Sequence, residues 1–503
     1  MDRATARRIV PAALGLGLLA DLLLDGPAAG LNVPLFVAAM LGTAWLVRRR
    51  ERAPDRLDAW LPAAALILAT FIAIRADPFV GGLDLLAALA FSGAAIAAFS
   101  GVAVTRRSAS VVAAIGAWVL EASLAGAARA VVATRPWRAA GSPSVATWAG
   151  PVGRGLFLGI PLVLIFAVLF ASADPIFRRG LDDLLGLRID LGDLPGRVLF
   201  VIGVAWLAAG LLSVAAGGLP AMERSPAGAA SLGAAARTAS LTAGRALGTT
   251  EALVVLIAVD LVVGLFVGLQ LAYLFGGLDT LTAAGMTYSA YARRGYFELV
   301  GAACLAGGIL VGIDLNIVRR SRAYVGLAMA LVALTVAVLA SAALRLALYQ
   351  DAYGWTELRL YVAVSIVALA VTLAALAVAL LLDRTRWLGH AMAVIGLASL
   401  IALNVLAPPA FVAERNVERV IHPELVPPDG KAGLDADYLR VLPDDAIPAL
   451  VAALPTLPEP ASTQIRELLL VRRTELAADA SSHGVLAWNV GRERAREALA
   501  TLP

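Results

Sequence analysis

Cysteine, histidine and lysine are almost absent from this chain, and each scarcity excludes a class of site. The 503 residues include one cysteine and three histidines, and Lys431 is the only lysine among 41 basic residues. One cysteine excludes an intramolecular disulfide, and the scattered histidines do not have the spacing of metal ligands, so we expect no metal site. Cys304 itself lies inside an apolar run, where we expect a buried small hydrophobic side chain.

Charge is also scarce, and long apolar runs take its place. Charged residues make up 16% of the chain and hydrophobic residues 60%, a balance that does not suit a water-soluble surface. About 20 apolar residues cross a bilayer as a helix. The pattern predicts an all-α polytopic transmembrane bundle with about eleven spans. They are residues 9–24, 31–47, 59–74, 83–104, 156–170, 198–216, 252–275, 297–313, 325–346, 358–382 and 388–406.

A twelfth apolar run, 111–132, carries Glu121 and Arg129, which are costly charges at membrane depth. Arginine accumulates in short cytoplasmic loops. If the N-terminus is cytoplasmic, the later arginine clusters also fall on the cytoplasmic side only when 111–132 does not cross the membrane. We therefore expect an interfacial or re-entrant helix there, a cytoplasmic N-terminus and a C-terminal domain outside. If 111–132 crosses instead, the bundle has a twelfth span and the C-terminal domain changes sides.

The apolar pattern stops after residue 406, and a segment with Pro423, Pro427 and Pro428 follows. Beyond it, helical patterns separated by prolines cover roughly 435–442, 444–454, 463–479 and 489–500. We predict a transmembrane bundle over 1–413, a linker over 414–434 and a small soluble helical domain over 435–503.

Asp260 lies about ten residues inside the span 252–275, too deep for its carboxyl to reach the headgroups. An acid at this depth is a candidate proton or cation relay, or the partner of a buried arginine. The alternative is a hydrogen-bonded carboxyl that fixes helix packing. Gly264 and Gly268 follow on the same helix face and favour close contact with a neighbouring helix.

Three outer segments are rich in charged and aromatic residues and supply the other candidate functional residues. These are Asp174 in the first, Arg293, Arg294 and Glu298 in the second, and Tyr353, Glu357 and Arg359 in the third. Asp174 can simply cap a helix, and an aromatic belt at the membrane interface accounts for many of the tyrosines. A lining of this kind would also suit a lipid-linked ligand, a carbohydrate or a partner protein.

Specific motifs for catalysis or cofactor binding are missing. The chain has no phosphate-binding glycine loop followed by lysine, no zincin helix and no nucleophile elbow. The arginines follow the membrane topology, so nucleic-acid binding has no support. We predict no cofactor and leave the catalytic residues unassigned.

Five short motifs occur in order and together resemble a known family. They are LFASADPIF around Asp174, YARRGYFEL around Glu298, AYGWTELRLY around Arg359, ERN ending at Asn416, and WNVGR from Trp488 to Arg492. Asn416 is a further candidate functional residue. The chain resembles a bacterial membrane family catalogued as domain of unknown function 4173, close to 4153, over roughly 156–499. The resemblance implies a bacterial cytoplasmic (inner) membrane protein and supplies no activity.

Three functions remain open. The first is a non-enzymatic, transporter-like or envelope-associated scaffold that contacts the lipid bilayer and binds a ligand or membrane protein partner at its outer face. The second is a membrane-embedded transferase acting on a lipid-linked substrate, with Asp174 or Glu298 as base and Arg293, Arg294 or Arg359 holding phosphate. The third is a sensor or regulatory membrane component.

Overall fold

The structure is a computed structural model that describes most of the chain. The described residues are 3–25, 28–48, 53–107, 112, 115–123, 194–217, 248–275, 296–317, 320–384, 387–428, 430–431, 433–482 and 484–503. The predicted span 156–170 lies outside them, as does most of the run 111–132.

Helices are the only regular secondary structure in these described residues, as the long apolar runs predict. The first ten are α1 (Arg3–Leu24), α2 (Asn32–Val47), α3 (Trp60–Ile74), α4 (Pro78–Phe99), α5 (Leu194–Gly217), α6 (Thr249–Phe275), α7 (Tyr296–Asn316), α8 (Arg322–Tyr353), α9 (Glu357–Leu381) and α10 (Leu388–Leu406). Five further helices follow, namely α11 (Pro408–Ile421), α12 (Ala436–Arg440), α13 (Ile447–Ala453), α14 (Ala461–Ser482) and α15 (Val490–Ala500).

Seven described helical segments are long and apolar enough to cross a bilayer, and the protein is accordingly an all-α membrane protein. They are Arg56–Ile74, Pro78–Phe99, Gly196–Ala216, Thr249–Gly268, Arg322–Tyr353, Glu357–Leu381 and Leu388–Leu406. Two shorter apolar helices, Asn32–Val47 and Leu299–Asp314, accompany them. Large apolar side chains such as Leu46 and Leu261 are exposed on these helices, which suits contact with lipid. The expected count of eleven spans is not confirmed.

The described membrane helices pack around two separate apolar cores. The first core is built from α1 to α5, together with the helical residues 115–123, and contains Leu68 and Leu212. The second is built from α6 to α9 and contains Leu331 and Leu376. Helix α10 contributes to both, because Leu397 and Leu400 pack on the first core and Leu388 belongs to the second. We call the two groups of helices the first and second half-bundles, and the boundary between them at α4, α9 and α10 the seam.

Helices α11 to α15 form a third core, which we call the C-terminal module. From sequence, residues 414–434 are predicted to form a linker. In the structure, α11 runs through 414–421, and its Val417 is buried in the core of the module. Ala407 adopts a left-handed conformation with φ of 48° and turns the chain directly from α10 into α11. Pro408 and Pro409 then begin α11, where proline needs no backbone hydrogen bond. The later helices lie close to the four segments that the sequence predicts.

The module lies at one end of the bundle, and the described arginine clusters lie at the other. At the arginine end, two ion pairs link neighbouring segments, Arg106 with Asp55 and Arg320 with Asp383. The Nε2 atom of His390 also lies 2.7 Å from the carbonyl oxygen of Arg107. We call the opposite end, where α8 and α10 finish, the module end.

Cys304 departs from its expected role. It lies on α7 as a free and exposed cysteine, on the outside of the helix bundle. An apolar run within a membrane helix can face lipid as readily as protein, and hydropathy alone does not separate the two.

Candidate functional site

The module is fastened to the first half-bundle by polar side chains that satisfy backbone groups at the helix ends. Asn489 donates from Nδ2 to the carbonyls of Ile72 (2.9 Å) and Arg75 (2.8 Å), which close α3. Its Oδ1 accepts from the backbone N–H of Arg492 (3.1 Å) and caps α15. One buried amide therefore caps a membrane helix and a module helix together.

Two further contacts join the same surfaces. The backbone N–H of Leu31 donates to the carbonyl of Trp488 (2.9 Å). Arg492 donates from Nη2 to the carbonyl of Ala29 (2.6 Å). A side chain at Gly30 would collide with the Trp488 carbonyl, because a Cβ there would lie 2.5 Å from that oxygen. The backbones of the module and the α1–α2 connection thus approach each other directly.

The second half-bundle is held by α11 and the segment that follows it. Asn416 accepts from the N–H of Trp355 (2.8 Å) and donates to the carbonyl of the same residue (2.9 Å). Arg419 donates to the carbonyls of Gln350 (3.0 Å), Asp351, Ala352 (3.3 Å) and Lys431 (3.0 Å). Three of these carbonyls belong to the last turn of α8. We call these contacts, together with those of Asn489 and Arg492 and the bond that Asp445 of the module accepts from the N–H of Ala76, the docking layer.

The predicted residues Tyr353, Glu357 and Arg359 all lie beside this layer. Arg359 donates to the carbonyls of Gly354 and Tyr353 (3.4 Å), and its guanidinium lies 4.0 Å from the ring centre of Tyr349. The ring of Tyr353 packs edge-on against Tyr349 at 5.1 Å between centroids. The backbone N–H of Glu357 donates to the hydroxyl of Tyr438 in the module (2.8 Å). These groups therefore stabilise the α8–α9 turn.

Two carboxyl groups meet at the module end of the seam. The Tyr361 hydroxyl lies 3.2 Å from Oδ2 of Asp77 and 3.4 Å from Oε1 of Glu357. Asp77 caps α4 by accepting from the N–H groups of Phe79 (2.9 Å) and Val80 (3.1 Å). The Phe79 and Tyr361 rings are stacked with centroids 4.8 Å apart. Of the members of this group, sequence reasoning identified Glu357.

A deeper acidic residue in the seam is Asp84, which sequence reasoning missed. Its carboxyl faces the amide of Asn404 on α10, and both side chains are fully buried. The sequence feature that could have revealed this pair was the presence of an acid and an amide inside two predicted spans. Because Asp84 and Asn404 lie near the ends of those spans, they are indistinguishable in sequence from residues at the lipid headgroups.

Asp260 lies apart from both the seam and the docking layer, on α6. Both of its carboxylate oxygens are occluded, and no hydrogen-bond partner for them occurs within the described residues. Gly264, one turn further on, approaches Leu334 of α8, so this part of α6 packs on a neighbouring helix. The expected roles of Asp260 remain predictions.

Four predicted residues fall wholly or partly outside the described structure. Asp174, Arg293 and Arg294 are outside the described residues. Glu298 lies in the first turn of α7, and its side chain is not among those described. Within the described residues, no group of three or more histidine, cysteine, aspartate or glutamate side chains could hold a metal ion.

Asp445 should make docking of the module depend on pH. Its Oδ2 accepts from the N–H of Ala76 (2.8 Å), and burial raises the pKa of this carboxyl to about 6. The docked state therefore binds a proton more tightly than the separated state. Docking should strengthen as pH falls from about 6 to about 4, by at most tenfold per pH unit.

Limited proteolysis of 423–431 at a series of pH values would measure this effect. Asp445→Asn should remove the pH dependence and keep the contact with Ala76. A loss of docking on acidification in the unaltered protein, reversed by Asp445→Asn, would contradict the prediction.

A protein-family model described as Domain of unknown function (DUF4153) matches residues 63–453. The match includes Asp77, Asp84 and the AYGWTELRLY and ERN motifs, and it ends before Asn489. It begins nearer the N-terminus than the resemblance suggested, and the label 4173 is not confirmed. No curated protein and no solved structure matches the chain. Since the matched segment covers well over half of the 503 residues, the chain belongs to the DUF4153 family, whose function is unknown.

Proposed function

We propose that this protein is a transporter-like membrane protein whose functional site is the seam between the two half-bundles. The observation that carries the proposal is the burial of Asp77 and Asp84 in the seam, with exposed fractions of 3% and 0%. Ionisable side chains inside a membrane bundle are costly, and they commonly mark ion or substrate pathways. Many transporters place such groups between two helix bundles that rock against each other.

The module acts in this proposal as a clamp at one end of the seam. Asn489 and Asp445 bind the first half-bundle, while Asn416 and Arg419 bind the second. Because the module binds both half-bundles, it favours the conformation in which the two half-bundles lie close together at the module end. Its release or movement would permit the seam to open at that end.

The distribution of arginine supports a module outside the cytoplasm. Five described residues that illustrate the arginine end are Arg48, Arg106, Arg320, Arg322 and Arg384. Arginine accumulates on the cytoplasmic side. We propose a bacterial inner-membrane protein with a cytoplasmic N-terminus and an external module, which could meet an envelope ligand or a membrane protein partner.

The transferase alternative receives less support from the docking layer. Arg359, proposed to hold phosphate, donates to the carbonyls of Tyr353 and Gly354. Asn416 is bonded to both backbone groups of Trp355. These contacts give both side chains a role in maintaining the fold. The sensor alternative predicts a partner protein and would be favoured by co-purification of a kinase or transporter subunit.

Distance measurements across the arginine end would test the proposal. Nitroxide labels at Leu57→Cys and Leu382→Cys, in a Cys304→Ala background, lie on different half-bundles, and both native side chains are exposed. In lipid nanodiscs we expect two distance populations whose ratio changes between pH 8 and pH 5.5, because the seam contains carboxyl groups. Pulsed electron paramagnetic resonance would measure them.

The matched control labels Leu46→Cys and Leu57→Cys, which both lie on the first half-bundle. This pair should give one distance population at every pH. One narrow and unchanging population for the Leu57 and Leu382 pair would contradict a moving seam and favour the envelope-associated scaffold.

A further inference from the structure

Asp84 and Asn404 form a fully buried pair between α4 and α10, at positions 320 residues apart in the chain. Nδ2 of Asn404 lies 3.0 Å from Oδ1 and 2.9 Å from Oδ2 of Asp84. The same nitrogen also lies 2.9 Å from the carbonyl oxygen of Leu400, one turn earlier in α10. The pair therefore connects the first half-bundle to the helix that bridges the two halves.

The hydrogen bonds of this pair do not balance if Asp84 is charged. An amide nitrogen has two hydrogens, and one of them is directed to the Leu400 carbonyl. The other must serve both carboxylate oxygens of Asp84. Oδ1 of Asn404 is also buried and has no partner among the described residues. A carboxylate inside a membrane bundle with one shared donor is poorly compensated.

One proton corrects both deficits. A protonated Asp84 has an O–H that can donate to the unpartnered Oδ1 of Asn404 once the amide rotates toward it. The amide nitrogen can still donate to the other carboxyl oxygen, so the acid and amide form a cyclic neutral pair. We propose that Asp84 is a proton-binding site that is occupied at neutral pH, with Asn404 as its hydrogen-bonding partner.

The surrounding groups are consistent with a bound proton. From the α3–α4 connection and α9, the charged and titratable groups nearest the module end are Arg75, Asp77, Glu357 and Tyr361, and Asp445 lies in the module. Asp77 is a further negative charge near Asp84, which disfavours a second one. Toward the arginine end, Ser92 follows on α4, and its buried hydroxyl has no partner among the described residues.

Past Ser92, a cavity of about 360 Å³ at the arginine end is lined by Phe91, Thr105 and His390. Polar groups therefore occur along α4 and α10 from the module end to the arginine end. The inference deepens the proposed function, because it assigns the ion that the seam would carry.

Asp58 provides a matched control. It is also buried, with 2% exposure, but it accepts from the backbone N–H groups of Val104 (3.0 Å) and Thr105 (2.7 Å). Two separate donors, one to each oxygen, suit an ionised carboxylate. Asp58 and Asp84 are thus two buried acids of which Asp58 has a separate donor for each oxygen and Asp84 has one donor shared between both.

Infrared spectroscopy of the full chain in lipid nanodiscs at pH 7 would test the proposal without any transport assay. The unaltered protein should show a protonated-carboxyl stretching band that loses the intensity of one carboxyl group in Asp84→Asn. Asp58→Asn should leave that band unchanged. An unchanged band in a folded Asp84→Asn variant, or no such band in the unaltered protein at pH 7, would overturn the proposal.

A sodium titration and a double variant that exchanges the acid and the amide provide two further tests. If sodium up to 100 mM removes from the unaltered protein the part of the band that Asp84→Asn lacks, and leaves the spectrum of Asp84→Asn unchanged, the site binds a metal cation instead and the proposal fails. If Asp84→Asn does not fold, the double variant Asp84→Asn, Asn404→Asp should restore both folding and the band, because it recreates an acid–amide pair. A folded double variant without the band would also overturn the proposal. Failure of the spin-label test would remove the moving seam and leave this proton site intact.

Discussion

Replacing Arg419 with methionine is expected to release the module from the second half-bundle. Arg419 is 8% exposed, and its guanidinium donates to four carbonyls, three of them at the end of α8. The carbonyls of Gln350 and Ala352 also accept from the backbone N–H groups of Gly354 and Lys431 (both 2.8 Å), so the Arg419 contacts to Asp351 and Lys431 matter most. A cation at a helix C-terminus also stabilises the helix dipole. Methionine is similar in length but removes the charged donors to all four carbonyls, including those of Asp351 and Lys431. We expect a loss of about 3–5 kcal/mol in the free energy of docking.

Hydrogen exchange would measure the effect at residues 350–356, where protection should fall on the order of a hundredfold or more. Arg419→Lys should recover little, because an ammonium group cannot reproduce the planar fork of donors. Arg415→Ala is the matched control on the same helix, since Arg415 is exposed and pairs with Glu418 at 2.7 Å. It should cost less than about 1 kcal/mol. Equal effects of Arg415→Ala and Arg419→Met would show that these backbone contacts do not hold the module.

Replacing Asn489 with alanine is expected to weaken the other half of the docking layer. The substitution removes two hydrogen bonds to the end of α3 and the cap of α15. A lost cap costs about 1 kcal/mol, and buried unpaired carbonyls cost about 1–3 kcal/mol each. Partial access of water reduces the total, so we expect roughly 2–4 kcal/mol. Hydrogen exchange should increase both at residues 72–76 and at 490–494.

Asn489→Asp would separate the two roles of this side chain. Aspartate can still accept from the N–H of Arg492, so α15 should keep its cap. It has no donor for the carbonyls of Ile72 and Arg75, and its charge would face those oxygens. Exchange should therefore increase at 72–76 alone. Unchanged exchange at 72–76 in both variants would mean that Asn489 does not fasten the module to α3.

Several motif residues that the sequence singled out are brought together by the fold. Arg359, Asn416 and Asn489 come from three motifs that are far apart in the chain, and all three lie in or beside the docking layer. Their aromatic neighbours, expected from sequence to form an interfacial belt, also take part in packing. Trp355, for example, packs edge-on against Phe411 of the module at 5.1 Å between centroids.

Other residues of the site could not be recognised from sequence. Arg419 lies on an amphipathic helix beside exposed charged residues, so its pattern matches a solvent-facing arginine. Asp84 and Asn404 become a pair only because α4 and α10 meet, 320 residues apart. Burial and pairing of this kind depend on long-range contacts that local sequence does not encode.

The sequence by itself determined the solvent in which this protein folds. Long apolar runs require helices in a bilayer, because each helix satisfies its own backbone hydrogen bonds there. Prolines and loss of hydropathy after residue 406 likewise marked the helical module. Only the tertiary structure decided which polar groups are enclosed. Hydropathy is similar for helix faces toward lipid and toward protein, so the seam and the docking layer emerge when the two half-bundles and the module pack together.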